Sequence, residues 1–180
     1  MEKLVTTGKV KAIGISNFTI KRTEDLLSKA TIVPAVNQIE AHPYLQQPEL
    51  VKYCQSKGIH TEAYSPLGNN QTGEPRTVDD AVVAELSQET GLSGAQLLLS
   101  WGVQRGTVVL SKSVTPSRIE SNLKVQELPE DVFAKLTAME KNKRFNWQSR
   151  WGFDIFQELG PEKTKQLGRE VAEENKKLYG

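Results

Sequence analysis

Apolar and polar positions along the chain fall into two alternating patterns. Short, β-branched runs predict strands at Lys11-Ala12-Ile13-Gly14-Ile15, Ala35-Val36-Asn37-Gln38-Ile39, His60-Thr61-Glu62-Ala63-Tyr64 and Thr107-Val108-Val109-Leu110. Longer stretches between them carry apolar residues at helical spacing. Thr19 to Ala30 presents Ile20, Leu26 and Leu27. Pro48 opens a second helix and Gly58 stands past its end, with Leu50, Val51 and Cys54 on one face. Asp80 to Thr90 turns Val82, Val83 and Leu86 inward, with Gly91 as stop. Ser93 and Gln96 form a capping box for the helix carrying Leu97, Leu98 and Trp101, which Gly106 ends. Thr115 is expected to cap the next helix, with Pro116 at its first position. Leu128 to Lys143 adds another, with Val132, Leu136 and Met139 on one side. The charged stretch from Pro161 to Gly180 has few large apolar groups and predicts a solvated helix or a frayed end.

Four repeats of strand then helix predict an α/β fold with a parallel sheet built from βα units. The strands read as continuous apolar runs, which predicts burial on both faces. With 180 residues, one core is the default. Composition narrows the function classes. Lys and Arg number 23 against 22 Asp and Glu, a net charge of +1, so neither nucleic acid nor an anionic membrane is expected as partner. The single cysteine, Cys54, excludes an intrachain disulfide and points to a reducing, cytoplasmic setting. Met1-Glu2-Lys3 does not open a secretory signal, and apolar stretches such as Leu97-Leu98-Leu99 are too short to span a bilayer.

The common nucleotide motifs G-x-G-x-x-G and G-x-x-x-x-G-K-[ST] are absent, and two histidines with one cysteine offer no metal site. What remains is polar residues at the C-terminal ends of the strands: Ser16-Asn17, Gln38, Tyr64-Ser65 and Lys112-Ser113. That edge is where ligands bind in barrels and open α/β sheets. Asn17 reads equally as a helix cap. Lys112 and Arg118, flanking a helix start, read either as a pocket for a doubly charged phosphate or as two surface cations on a loop.

These residues carry a resemblance. Gly14-Ile15-Ser16-Asn17-Phe18, Val36-Asn37-Gln38-Ile39-Glu40-Ala41-His42-Pro43-Tyr44-Leu45, Ala63-Tyr64-Ser65-Pro66-Leu67-Gly68 and Lys112-Ser113-Val114-Thr115-Pro116-Ser117-Arg118-Ile119 look like the aldo-keto reductase superfamily, in its order and spacing. The resemblance runs from Glu2 to about Asp154. Arg144-Phe145-Asn146-Trp147 and Trp151-Gly152-Phe153-Asp154 are similar to fungal members. It implies a (β/α)8 TIM barrel that binds NADP(H) in an extended pose. Ser16, Asn17 and Gln38 would hold the nicotinamide carboxamide, and Tyr64 would stack on its ring. Ser65 and Leu67 would meet the pyrophosphate. Lys112, Ser113 and Arg118 would bind the 2′-phosphate, and Asn122 the adenine. Ser121 departs from the Glu that the family often places before that Asn, which weakens the adenine assignment. His42 is not the family's catalytic histidine, and Tyr64 is not its proton donor. Trp147, Trp151 and Phe153 would wall the pocket of a small carbonyl substrate or else pack their segment onto the barrel.

The family's Asp, Tyr, Lys and His tetrad comes from the first half of the barrel. The sequence aligns with strands five to eight, and about 250 residues are usual for eight βα units. A partial barrel is therefore expected over 1–154, with 155–180 as a charged tail and no catalytic residue in the chain. Three readings follow from the resemblance: an NADP-dependent reductase portion, a non-catalytic NADPH-binding or regulatory module, or a truncated product. Exposed strand edges predict a homo-oligomer.

Overall fold

The computed structural model describes residues 1–69, 73–147 and 152–179. Among the described residues, four strands form one sheet: β1 Ile15–Ser16, β2 Val36–Glu40, β3 His60–Tyr64 and β4 Val108–Val109. They lie in chain order, each parallel to its neighbour. Parallel neighbours need a crossover, and helices supply each one. These are α2 Ile20–Leu27, then α3 Pro48–Ser56, then α4 Ala81–Thr90 with α5 Gly94–Gln104. A short α1 Glu2–Thr6 precedes β1, and α6 Pro116–Asn122, α7 Glu130–Thr137 and α8 Pro161–Tyr179 follow β4. The α/β class and parallel sheet are as the sequence pattern predicts.

Local chemistry explains most boundaries. Thr19 Oγ1 accepts the Arg22 N–H at the start of α2 (3.3 Å), and Asp80 Oδ1 accepts the Val82 N–H at the start of α4 (2.8 Å). Ser93 and Gln96 close the capping box of α5 from both sides, at 3.3 and 3.1 Å. Gly91 ends α4 in the left-handed region, φ 72°.

Four expectations need correction. β1 is shorter than its apolar run. Before it, the Ala35 N–H donates to Ile13 O at 2.8 Å, and among the described residues β1 has a strand on one side alone. Thr115 stands before α6 but makes no side-chain cap. Its own N–H donates to Ser113 Oγ at 3.1 Å. α7 stops at Thr137, well short of Lys143. The Thr137 carbonyl accepts from Gln46 Nε2 (2.6 Å), and the N–H groups of Lys141 and Lys143 donate to Tyr44 O rather than onward along a helix. Finally, the sheet is not buried on both faces. Asn37, Ile39, Thr61 and Ala63 are buried, whereas Gln38 and Glu62 are half-buried and Val108 is exposed. Gln38 and Glu62 bond to each other across the strands rather than to an apolar layer.

The core has two parts. Ile39, Ala41, Leu50, Cys54, Ile59 and Ala63 pack between the sheet and α2–α3. A larger cluster holds α4, α5 and α7 together through Val83, Leu86, Leu97, Leu98, Trp101, Val132 and Leu136, and reaches Tyr44 and Phe145. Of the two alternatives for the end of the chain, the structure shows a helix, α8, mostly exposed. A Cβ at its Gly168 would lie 3.1 Å from the Gly152 carbonyl. Among the described residues no helix is long and apolar enough to cross a membrane. Nor does any group of three His, Cys, Asp or Glu residues converge as a metal site would require.

Candidate functional site

Because the strands are parallel, their C-terminal ends share one edge, and the polar motif residues collect there. Asn37 is buried and holds the β1–α2 turn, donating from Nδ2 to Phe18 O (2.9 Å) and accepting the Phe18 N–H at Oδ1 (3.3 Å). That turn places Asn17 in the left-handed region at φ 58°, a conformation asparagine tolerates. The Asn17 N–H and the Ser16 hydroxyl both donate to Gln38 O, at 2.9 and 3.0 Å. The Tyr64 hydroxyl donates to Asn17 Oδ1 (3.1 Å), and Gln38 Nε2 donates to Glu62 Oε2 (2.7 Å). Four of the expected residues, from three strands, thus form one bonded set. The Asn17 side chain serves Tyr64 and not a helix cap.

Burial pushes the Tyr64 hydroxyl up to about 12, the Glu40 carboxylate adds to it, and Arg144 and Asn17 oppose. Tyr64 therefore keeps its proton at neutral pH and spends it on Asn17. After it, Ser65 turns left-handed (φ 50°) and its Oγ accepts from Asn146 Nδ2 at 3.1 Å. Leu67 packs on the larger core cluster. Gly68, at φ 72°, lets the chain pass Thr77 so closely that a Cβ would meet its backbone nitrogen at 2.6 Å.

The second group lies beyond β4. Leu110 N donates to Ala63 O (3.0 Å), carrying the chain past β3 towards Lys112. Lys112 and Arg118 are exposed, and neither has an ion-pair partner among the described residues. Ser113 and Asn122 are half-buried nearby in sequence. No hydrogen bond joins this group to the Tyr64 set among the described residues. Of the aromatic residues expected around a substrate, Trp147 is half-buried with its ring 5.6 Å from that of Phe156, and Phe153 is exposed. Trp151 lies outside the described residues.

Sequence reasoning missed the charged groups behind this edge. Glu40, at the end of β2, is fully buried. Its Oε1 accepts from the Phe145 N–H (2.8 Å) and from His42 Nε2 (3.1 Å), and its Oε2 from the Asn146 N–H (3.0 Å). A carboxylate can only accept, so His42 carries its proton on Nε2. Burial alone would raise the Glu40 pKa, but His42 and the two backbone N–H groups outweigh it and hold the carboxyl below its ordinary value. Arg144 Nη1 stands 3.6 Å from Glu40 Oε2, and Nη2 pairs with Glu158 at 2.6 Å. The same guanidinium lies 3.6 Å over the Phe156 ring. The signal available was a carboxylate directly after Ile39 at the end of a strand, which has to find partners if it is buried. Glu62 stands in the middle of β3 and gave no such signal.

Comparison with known proteins follows the same lines. The family model described as "Aldo/keto reductase family" matches residues 1–141. A glycerol 2-dehydrogenase (NADP(+)) of Hypocrea jecorina is 48% identical over 165 residues, covering 88% of this chain and 52% of that protein. An aldehyde reductase of Saccharomyces cerevisiae is 45% identical over 163 residues, covering 87% of this chain and 51% of that protein. The crystal structure of an aldo-keto reductase of the silkworm Bombyx mori superposes with a TM-score of 0.75 at 32% identity, over 83% of this chain and 48% of that one. The chain spans about half the length of the curated relatives it matches.

Proposed function

Because the chain belongs to the aldo/keto reductase family, we propose that it binds NADP(H) along the C-terminal edge of its sheet, as its part of an NADP-dependent reduction of aldehydes or ketones to alcohols. The observation that carries this reading is the bonded set of Ser16, Asn17, Gln38 and Tyr64. Among the described residues its hydrogen bonds leave complementary groups free. Gln38 spends Nε2 on Glu62, so its Oε1 remains to accept. Asn17 spends Oδ1 on Tyr64, so its Nδ2 remains to donate. One acceptor and one donor side by side suit a carboxamide, the polar end of nicotinamide. The half-buried Tyr64 ring offers a face for the nicotinamide, worth about 0.5–1.5 kcal/mol beyond area burial.

Lys112, Ser113 and Arg118 bind the 2′-phosphate in this reading, and two cations without carboxylate partners fit that charge. Ser65 and Leu67 line the pyrophosphate, and Asn122 meets the adenine. The name of the Hypocrea relative includes NADP(+), which supports the same cofactor here. The cofactor supplies the hydride. This chain's residues bind and orient it, and Trp147 and Phe153 help wall the space for a small carbonyl compound. The sheet is read as strands five to eight of a (β/α)8 barrel over 1–154, with 155–180 as an appended tail, in a cytoplasmic protein. The catalytic tetrad belongs to the other barrel half. Tyr64 is no substitute for its acid, since its proton is committed to Asn17. A second reading is a non-catalytic NADPH-binding module.

Fluorescence titration of the chain with NADPH and NADH tests the cofactor. Lys112→Ala and Arg118→Ala should each weaken NADPH about tenfold or more, because a hydrogen bond to a charged group contributes about 1.5–3 kcal/mol. NADH should change little, and equal losses would sink the 2′-phosphate assignment. NADPH consumption with a generic aldehyde separates the two readings. Turnover of about 1–10³ per second by this chain alone would show that it carries its own acid.

A further inference from the structure

Glu40 is fully buried, yet it ends a strand at the edge that carries the candidate cofactor set. Removing a carboxylate from water is costly, so its partners must be worth assembling. Two of them are backbone N–H groups, of Phe145 and Asn146, more than a hundred residues further along the chain. Those bonds fix the path of the 144–146 segment as well as its position. From that path the Asn146 side chain donates Nδ2 to Ser65 Oγ (3.1 Å), and its Oδ1 accepts from Asn69 Nδ2 (2.5 Å). Ser65 is held left-handed directly after Tyr64, a conformation that serine adopts reluctantly without such support. Arg144 closes the arrangement from the other side, between Glu40 and Glu158.

We propose that Glu40 is a positioning residue for the nicotinamide half of the site, acting through the 144–146 segment and Asn146 on the Tyr64–Ser65 turn. Glu40 touches no cofactor atom in this arrangement. Its effect is confined to the end of the site where Tyr64 lies, because among the described residues no hydrogen bond or ion pair links it to Lys112 or Arg118. The inference rests on the NADP(H) reading above and deepens it.

Two variants and two ligands test it. Glu40→Gln keeps the volume and removes the charge. Asn146→Ala keeps Glu40 and its backbone donors but cuts the link to Ser65. NADPH spans both ends of the site, whereas adenosine 2′,5′-bisphosphate occupies the phosphate end alone. Both variants should weaken NADPH by about tenfold, the size of one lost charge-assisted hydrogen bond or its equivalent in misalignment. Adenosine 2′,5′-bisphosphate should change by less than about twofold. A general loosening of the fold would weaken both ligands alike, and that result overturns the inference. So does unchanged NADPH affinity in variants that still fold. If the unmodified chain binds neither ligand, the cofactor reading falls and takes the inference with it. If it binds both and the variants match it, the inference alone falls. Should Glu40→Gln fail to fold by circular dichroism, Asn146→Ala decides, since it leaves no charge unpaired.

Discussion

Replacing Gly68 by alanine isolates a steric requirement at the turn that carries Ser65 and Leu67. Two effects add. The backbone at φ 72° is left-handed, which costs an alanine about 1–2 kcal/mol. The new methyl would also lie 2.6 Å from the Thr77 nitrogen, 2.9 Å from Thr77 Oγ1 and 3.0 Å from Phe145 Cε2. Thr77 and Phe145 are both buried, so neither swings away cheaply. Overpacking of this kind costs about 1–3 kcal/mol, and the sum is about 2–5 kcal/mol. Gly91 supplies the control. It has the same φ of 72°, but a Cβ there would meet nothing within 4 Å. Gly91→Ala should therefore cost only the conformational part, and the entropy lost by the unfolded chain cancels between the two variants. Urea unfolding followed by tryptophan fluorescence gives both values, read as midpoint shifts at constant slope. Gly68→Ala should be less stable than Gly91→Ala by about 1–3 kcal/mol. Equal losses would refute the claim that close passage past Thr77, rather than backbone conformation alone, demands glycine at the turn.

Asp80 should give acid sensitivity. Burial opposes its ionisation, but the Tyr44 hydroxyl, the Val82 N–H and Lys141 prevail and hold its pKa below the ordinary 3.8. A depressed pKa means stability that is present above the unfolded value and lost as pH falls through the folded one. Asp80→Asn should flatten the decline in urea midpoint between about pH 5 and 2, and an unchanged slope would count against the assignment. The sheet edges predict self-association. Among the described residues β1 and β4 each lack a neighbour on one side, and Val108 of β4 is exposed, as are Leu110 and Val114 after it. Sedimentation at micromolar concentration should show species larger than the monomer, and a stable monomer would contradict this.

What the sequence made legible was local. The Ser93/Gln96 box, the Gly91 stop and the Pro48 start depend on residues within a few positions of each other, and each stands where the pattern puts it. Periodicity was less informative where a distant partner intervenes. Met139 continues the apolar stripe of α7 and is buried, but off the helix, because Gln46 captures the Thr137 carbonyl and Tyr44 captures the following N–H groups. The site divides in the same way. Ser16, Asn17, Gln38 and Tyr64 are visible as polar residues in or directly after the predicted strands. Glu40, Arg144 and Asn146 act across the length of the chain, and no spacing rule connects them. Thr115 shows the limit at close range. Its identity suits a cap, yet its side chain accepts no N–H of the first turn of α6.

Strand order has a kinetic consequence. Each strand pairs with its predecessor in the chain, so the sheet can grow by successive short closures. The Glu40 bonds cannot form that way. They join residues 105 and 106 positions apart and need β2 in place beforehand. Where contacts of this kind form after the barrier to folding, their loss falls on the rate of opening and spares the rate of assembly. The bonds from Phe145 and Asn146 to Glu40 thus act as a latch on a sheet already built, and they bear on how long the folded chain lasts more than on how fast it forms.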